Sequence, residues 1–156
     1  MNIGIRDKNR KAVVEILNRI LADEYVLYTK TRNYHWNVKG PHFSELHKFF
    51  ESQYKELDEI IDETAERARS LGGDSFGTLK EFLAETRLTE KPGDDPEEKK
   101  MIANLSADHE TLIRQLREDL EACADTYQDM GTSDYLTGLM ERHEKMAWML
   151  RSFRGV

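Results

Sequence analysis

The chain has 156 residues, of which 38% are hydrophobic and 34% charged, and its formal net charge is -7. The single cysteine, Cys123, excludes an internal disulfide framework and a zinc site built from cysteines. No run approaches the roughly 18 apolar residues of a membrane-spanning helix, and no signal peptide is visible, so we expect a cytoplasmic protein with no membrane partner. The acidic balance also argues against a general nucleic-acid-binding domain, which usually has a basic surplus.

Helical periodicity dominates the chain, and strand signals are almost absent. A first helix is predicted over 7–38, where Gly40-Pro41 stops it, and a second over 42–71, ended by Gly72-Gly73. Apolar residues recur along each helix at helical spacing, which predicts one face directed toward a core. These stripes are Val13, Leu17, Ile20, Leu27, Thr31 and Tyr34 on the first helix, and Phe43, Leu46, Phe50, Leu57, Ile61, Thr64 and Ala68 on the second.

The second half of the chain repeats this pattern after an irregular stretch over 74–95, in which a short helix is predicted over 78–84. Asp95 and Pro96 predict the N-cap and first turn of a third long helix, and a fourth is predicted after a break at Gly131, capped by Thr132 or Ser133. The inner stripes are Ile102, Leu105, His109, Leu112, Leu116 and Leu120, then Leu136, Leu139, Met140, His143, Ala147 and Leu150. These elements predict an all-α four-helix bundle with a short extra helix between the second and third, in a single domain over 1–156.

The second helix has an acidic edge beside its apolar face. Asp58, Asp62 and Glu66 follow one another at four-residue intervals, and each neighbouring pair of like charges costs a few tenths of a kcal/mol. The edge is either a solvated face or part of a metal site, because carboxylates and imidazoles together suit iron, zinc, copper or manganese. The counter-charges for the first interpretation are Lys55, Arg67 and Arg69; the further ligands for the second are His35, His42, His47 and Glu51.

Helix geometry complicates a metal site within one chain. His47 and Asp62 are fifteen residues apart, which separates them by about 22 Å along a helix. A di-iron centre inside a bundle would instead use Glu-x-x-His pairs, and none of the five histidines has an acidic residue three positions before it. The ordinary site inside the bundle is therefore not expected.

Several motifs around these residues occur together and cover essentially the whole chain. They are His35-Trp36-Asn37-Val38-Lys39-Gly40-Pro41-His42-Phe43, Leu46-His47-Lys48-Phe49-Phe50, Asp62 with Ala65-Glu66-Arg67, Leu71-Gly72-Gly73, Phe76-Gly77-Thr78-Leu79-Lys80-Glu81-Phe82-Leu83, and Trp148. In this combination the sequence resembles the Dps mini-ferritins, ferritin-like proteins that protect DNA in starved bacteria.

The resemblance implies a homododecamer with a hollow centre that oxidises Fe(II), preferentially with hydrogen peroxide, and stores the Fe(III) product as mineral. Such iron storage would protect the cell from oxidative damage. It also implies an iron site between two subunits related by a twofold axis. The implied ligands are His35 and His47 from one subunit and Asp62 and Glu66 from the other, with Glu51 where the family often has a further acidic ligand.

Other residues have a functional and a structural interpretation side by side. Trp36 resembles the family's sacrificial electron donor, and packing at an interface is the alternative. Asp125, Asp129 and Asp134 lie near the predicted turn before the fourth helix, which in resembling shells lines a threefold pore. Rings of carboxylates there would attract cations, and a polar turn with a helix cap is the alternative.

Buried polar residues are also expected on the inner stripes. His109 and His143 are predicted to be hydrogen-bonded core histidines rather than metal ligands. Glu24 lies on an inner stripe as well and needs a partner, which the sequence does not identify. Cys123 is predicted to be a small core residue.

The alternative function is that of a DNA-condensing protein with incidental iron chemistry. Family members that bind DNA tightly tend to carry an extended Lys-rich tail, whereas about six residues precede the first predicted helix here and the last six are Arg151-Ser152-Phe153-Arg154-Gly155-Val156. The negative net charge repels phosphates unless Mg²⁺ or local basic patches intervene. We therefore expect DNA binding to be weak.

Overall fold

Five α-helices form most of residues 1–154, the part of the chain that the computed structural model describes, and no strand occurs there. The helices are α1 (Asp7–Asn37), α2 (Phe43–Ser70), α3 (Leu79–Glu85), α4 (Glu98–Glu121) and α5 (Met130–Arg154), and a π-helical turn, Ala122–Thr126, follows α4. The predicted all-α bundle with a short extra helix is confirmed. Within the same residues, no helix is long and apolar enough to cross a lipid bilayer.

The four long helices pack as two pairs. α1 lies along α2 and α4 along α5, while contacts of α1 with α4 and of α2 with α5 join the pairs, and α3 rests on α1. The short connection between α1 and α2 makes these helices antiparallel neighbours. Most residues of the predicted stripes are buried in the common core, with Leu17, Phe50 and Leu57 completely inaccessible.

Phe43 is an exception to the predicted apolar stripes. Its side chain is 47% exposed, because it is the first residue of α2 and lies at the end of the helix pair. Its ring lies 5.2 Å from that of His47, measured between centroids. Ile61 and Leu120 are half-buried rather than fully inside.

The start of α4 differs from the sequence prediction. The helix begins at Glu98 rather than at Pro96, and Glu97 rather than Asp95 is its N-cap residue. The Asp95 carboxylate accepts a hydrogen bond from Lys39 Nζ at 2.5 Å, so it is occupied by the α1–α2 connection. The prediction of Asp95 as the cap is therefore wrong.

The start of α5 also corrects the prediction, because Asp129 rather than Thr132 or Ser133 caps this helix. One Asp129 carboxylate oxygen accepts from the Thr132 backbone N–H at 2.9 Å, and the other accepts from the Thr132 hydroxyl at 2.7 Å. Gly131 consequently lies inside the first turn of α5 and does not break the chain. The change of direction comes earlier, at Gln128, whose φ is +56°.

Candidate metal centre

The connection between α1 and α2 brings His35 and His47 together. Gly40 has a φ of +124°, which favours glycine, and a Cβ atom there would lie 2.8 Å from Glu98 Oε2. The other oxygen of Glu98 lies 2.8 Å from His42 Nδ1, and this contact raises the pKa of His42 above its usual value. The turn is thereby fastened to the start of α4, and it holds the end of α1 beside the first turns of α2.

His35 and His47 form a stacked pair with reciprocal hydrogen bonds. Their ring centroids are 3.8 Å apart with 24° between the planes. His35 Nδ1 donates to the carbonyl oxygen of His47 at 2.7 Å, and His47 Nδ1 donates to the carbonyl oxygen of His35 at 2.8 Å. Because a carbonyl oxygen can only accept, each Nδ1 carries a proton, and the lone pair of each neutral ring is on Nε2. Backbone bonds of this kind hold imidazoles as Nε2 metal ligands.

Glu51 adds a negative charge to this pair. It lies one turn after His47 on α2, and Lys55 Nζ donates to its carboxylate at 2.6 Å. This hydrogen bond lowers the pKa of Glu51, and His35 and His47 make smaller contributions in the same direction. Glu51 is therefore an ionised carboxylate beside two imidazoles. We call His35, His47 and Glu51 the histidine half of the candidate site.

The acidic edge of α2 lies toward the other end of the same helix. Asp58, Asp62 and Glu66 are exposed, and none has a hydrogen-bond or ion-pair partner within residues 1–154. The basic residues that could have compensated them form ion pairs with other carboxylates: Lys55 with Glu51, Arg67 with Asp129 and Arg69 with Asp74. Within residues 1–154, the exposed edge is therefore not balanced by local counter-charges. We call Asp62 and Glu66 the carboxylate half.

One chain does not bring the two halves together. Over residues 1–154, no three His, Cys, Asp or Glu side chains are close enough to hold a metal ion. α2 is continuous from Phe43 to Ser70, so His47 and Asp62 remain separated by about 22 Å along its axis. Each chain therefore presents two incomplete sets of candidate metal ligands, one where the end of α1 meets the first turns of α2 and the other farther along α2.

An aromatic cluster that includes Arg32 lies beside His35. The Tyr54 ring meets the His35 ring edge-on, with 5.2 Å between centroids. The Arg32 guanidinium carbon lies 5.1 Å from the Tyr54 ring, 5.4 Å from Trp36 and 5.7 Å from Tyr28. The sequence patterns did not indicate Arg32, Tyr28 or Tyr54, although Tyr28 and Arg32 precede His35 at helical spacing on α1.

The core of the bundle contains a second polar cluster, formed by Glu24, His109 and His143. His143 Nε2 donates to the Glu24 carboxylate at 2.8 Å, and its Nδ1 is 2.9 Å from Nδ1 of His109. All three residues are completely buried. The prediction of hydrogen-bonded core histidines is confirmed, and His143 is the partner that Glu24 required. Cys123 is a buried core residue, also as predicted.

His109 should make the stability of the fold depend on pH. Burial lowers the pKa of His109 well below its ordinary value of 6.5, so below that pH the unfolded chain binds a proton that the folded chain does not. The free energy of unfolding should therefore decrease as pH falls, by about 1.4 kcal/mol per pH unit from this group below pH ~6. The measurement is urea unfolding between pH 7.5 and 5 at a constant protein concentration.

His109→Gln is the matched variant for this test. Its amide can still donate to His143, but it does not titrate. The acid slope of the variant should be shallower than that of the original protein, and equal slopes would show that His109 is not responsible.

The three aspartates near the start of α5 have different environments. Asp129 is 2% exposed, caps α5 and accepts a hydrogen bond from Arg67 at 3.3 Å. Of the two interpretations given for Asp129, pore residue or helix cap, its contacts within one chain are those of the helix cap. Asp125 and Asp134 are exposed. Within one chain, only the latter two present carboxylates to the surface.

Comparison with known proteins places this arrangement in a family. The ferritin-like domain family matches residues 14–155. A low temperature-induced protein of Nostoc is 51% identical over 98% of this chain and 86% of its own length. DNA protection during starvation protein 2 of Bacillus anthracis is 41% identical over 92% of this chain and 97% of its own. The DPS protein of Vibrio cholerae, described as a member of a broad superfamily of ferritin-like diiron-carboxylate proteins, has a TM-score of 0.91 and 32% identity, and the match covers 98% of this chain and 95% of that one. The chain therefore belongs to the ferritin-like family, as one of its Dps proteins.

Proposed function

We propose that this protein oxidises Fe(II) with hydrogen peroxide and stores the Fe(III) product inside a homododecameric shell. The observation that carries the proposal is the His35–His47 pair, in which the reciprocal Nδ1 bonds leave both Nε2 atoms available to a metal. Imidazole and carboxylate ligands in combination suit iron. Membership of the Dps proteins, and the diiron-carboxylate description of the Vibrio cholerae relative, support iron as the substrate.

Two α2 helices packed antiparallel about a twofold axis would complete the site. Residues that meet across such an axis have numbers with a constant sum. His47 paired with Asp62, and Glu51 paired with Asp58, give the same sum and place the axis near Tyr54. The separation of about 22 Å along one helix, at about 1.5 Å per residue, is then no obstacle, because each site takes His47 from one chain and Asp62 from the other.

Each dimer would contain two equivalent sites. The histidine half of one chain would face the carboxylate half of its partner, and the Fe(II) ions bound between them would supply the positive charge that Asp62 and Glu66 do not find in their own chain. The accumulated carboxylates would also offset the charge that iron gains on oxidation. The unpaired acidic edge of α2 supports this arrangement.

The reaction has a simple electron balance at such a site. Two Fe(II) ions give two electrons to one hydrogen peroxide, which takes up two protons and forms two waters, leaving two Fe(III) ions. Because both electrons arrive together, the one-electron step that releases hydroxyl radical is avoided. The imidazoles would bind the substrate ions, and the carboxylates would compensate the positive charge that the ions gain on oxidation.

Peroxide-driven Fe(II) oxidation tests the proposed function. The rate of Fe(III) formation is followed by absorbance for protein eluting at the size of the assembled shell. His47→Ala should lose most of this rate because one metal ligand is missing, whereas Lys48→Ala, which removes the neighbouring exposed side chain, should retain it. A normal rate in His47→Ala would contradict the proposed site.

Asp125 and Asp134 should accelerate iron uptake through a threefold pore, because rings of carboxylates attract cations. Asp129 shares the pore hypothesis by sequence, but its carboxylate caps α5, so replacing it would also weaken the fold. Asp125→Asn with Asp134→Asn should slow mineral formation and leave iron binding at the oxidation site unchanged. Asp7→Asn with Asp74→Asn changes the net charge equally and should leave uptake unchanged; equal uptake by both double variants would place the route elsewhere.

DNA binding should be weak at neutral pH and physiological salt. The net charge is -7, and the basic residues near the N-terminus are Arg6, Lys8, Arg10 and Lys11. Of these, Arg10 already donates to Asp7 at 2.5 Å and to the Leu71 carbonyl oxygen at 2.7 Å. A gel-shift titration of plasmid DNA should show little retardation near about 0.15 M salt, and any binding at low salt should decline steeply as salt is added. Tight binding at physiological salt would favour the DNA-condensing function instead.

A further inference from the structure

A cavity of about 500 Å³ lies between α1, the connection from α3 to α4, and α4, whereas the histidine half lies where α1 meets α2. Binding sites for small molecules commonly have volumes of roughly 300–1,000 Å³. The lining combines buried and half-buried residues of the two helices with an exposed rim: Lys30, Tyr34, Asn104 and Asp108 inside, Trp36 and residues 89–94 at the rim. The cavity is therefore a second candidate site, separate from the metal centre.

The polar groups inside the cavity have used most of their donors on one another. Lys30 Nζ donates to Asp108 Oδ2 at 2.6 Å and to the carbonyl oxygen of Thr89 at 2.8 Å. Asn104 Nδ2 donates to the Tyr34 hydroxyl at 2.9 Å. The other carboxylate oxygen of Asp108 and the side-chain oxygen of Asn104 accept no hydrogen bond from residues 1–154. The groups left for a ligand are thus mainly acceptors.

The cavity also has an excess of negative charge. Burial raises the pKa of Asp108 although Lys30 opposes the shift, so Lys30 does not fully replace the hydration that this carboxylate loses. Burial also raises the pKa of Tyr34, and the carboxylates of Asp108 and Asp94 add to that increase. Three carboxylates and two ammonium groups line the cavity, which leaves a formal charge of -1: Glu90, Asp94, Asp108, Lys30 and Lys91.

We propose that this cavity binds an aliphatic primary amine in its ammonium form. An ammonium group has three N–H donors and no acceptor, which matches the free oxygens of Asp108 and Asn104. Its single positive charge would bring the lining to neutrality. Asp94 at the rim would add a second carboxylate near the bound charge, and hydrogen bonds to an ionised partner are about twice as strong as neutral ones.

An organic ammonium ion fits the cavity better than a metal ion does. No three His, Cys, Asp or Glu side chains of the described chain, residues 1–154, are close enough to hold a metal. Trp36 instead offers an apolar surface that is 64% exposed. The Arg32 guanidinium carbon already lies 5.4 Å from this ring, so the alkyl chain would pack on the indole and the ammonium group would turn to the carboxylates.

Isothermal titration calorimetry of the assembled full-length protein with n-butylammonium chloride tests the proposal. At pH 7 and constant ionic strength, we expect saturable binding of one amine per chain with a dissociation constant in the millimolar range, as befits so small a ligand. n-Butanol has the same alkyl chain without the charge, and butyrate has the opposite charge, so neither should bind. Equal binding of n-butanol, or no saturable binding of the amine, would overturn the proposal.

Two variants on α4 test the position of the charge. Asp108→Asn should weaken amine binding by about tenfold or more, because it removes the charged acceptor inside the cavity. Glu118→Gln removes one negative charge from an exposed position of the same helix outside the cavity and should leave the affinity unchanged. Equal affinities in the two variants would mean that the amine binds the acidic surface in general, which contradicts the site.

Asp94→Asn is the further variant if Asp108→Asn does not assemble. Asp94 is exposed, so its replacement should preserve the fold, and amine binding should again be weaker than in Glu118→Gln. Tryptophan fluorescence reports the location, since Trp148→Phe leaves Trp36 as the only tryptophan of the chain. In that variant the Trp36 emission should change with the dissociation constant found by calorimetry, and emission that stays constant through saturation would place the amine elsewhere.

Discussion

Chains carrying His47→Ala and chains carrying Asp62→Ala should each be inactive alone and should regain Fe(II) oxidation when they are unfolded and reassembled together. In a mixed dimer, one site combines both lesions and the other combines the two intact halves. Random mixing in equal amounts makes half of the dimers mixed, so about a quarter of all sites should be restored. Recovery of this size requires that the two ligands come from different chains.

A second mixture provides the control. His35 and His47 belong to the same half, so each site in a mixed dimer of His35→Ala and His47→Ala chains retains one lesion. This mixture should regain nothing, although it assembles in the same way. If a size-exclusion column shows that the His47→Ala and Asp62→Ala chains have co-assembled and no activity returns, the shared site is wrong.

Replacing Asp23 by alanine should lower the free energy of unfolding by about 3 kcal/mol, the lower end of the cost of breaking a buried ion pair. Asp23 is completely buried and accepts from the Arg87 backbone N–H at 2.5 Å, Arg87 Nε at 2.7 Å and the Thr86 hydroxyl at 3.0 Å. These bonds fasten the segment after α3 to α1. Arg87 would keep its ion pair with Asp119, at 3.1 Å, so its charge would not be left without a partner. The lower end of the range therefore applies.

An exposed ion pair supplies the comparison for Asp23. Glu144 accepts from Arg117 at 2.5 Å, but both side chains are well exposed, so Glu144→Ala should cost roughly 0–1 kcal/mol. Urea unfolding of both variants at the same protein concentration measures the difference. A loss below about 1 kcal/mol for Asp23→Ala would mean that Asp119 compensates for the missing carboxylate.

Periodicity predicted the buried faces well because a helix repeats the same contacts at every turn. Val13, Leu17 and Ile20 of α1 are inaccessible, as their spacing indicated. Helix ends were harder to predict, since a cap depends on which distant side chain competes for it. The Asp95 carboxylate is hydrogen-bonded to Lys39 and does not cap α4, whereas the Asp129 carboxylate accepts from the backbone N–H of Thr132 and caps α5.

The candidate site was predictable only in its local part. His35 and His47 are twelve residues apart across one turn, so their proximity follows from two antiparallel helices. Their reciprocal backbone bonds, however, depend on ring orientation, which spacing does not report. The pairing of Glu24 with His143 spans 119 residues and requires the packed bundle.

The locked His35–His47 pair has a consequence for assembly. Each imidazole is already tethered to the other's backbone, so metal binding would immobilise few additional torsions in this half. In the proposed dimer, a carboxylate half would meet a histidine half only when a second chain docks. Fe(II) would then be a ligand of the dimer rather than of the free chain, and thermodynamic linkage would strengthen subunit association as the free iron concentration rises. Under the proposed function, a shell built this way would be held together most tightly when the iron concentration is highest.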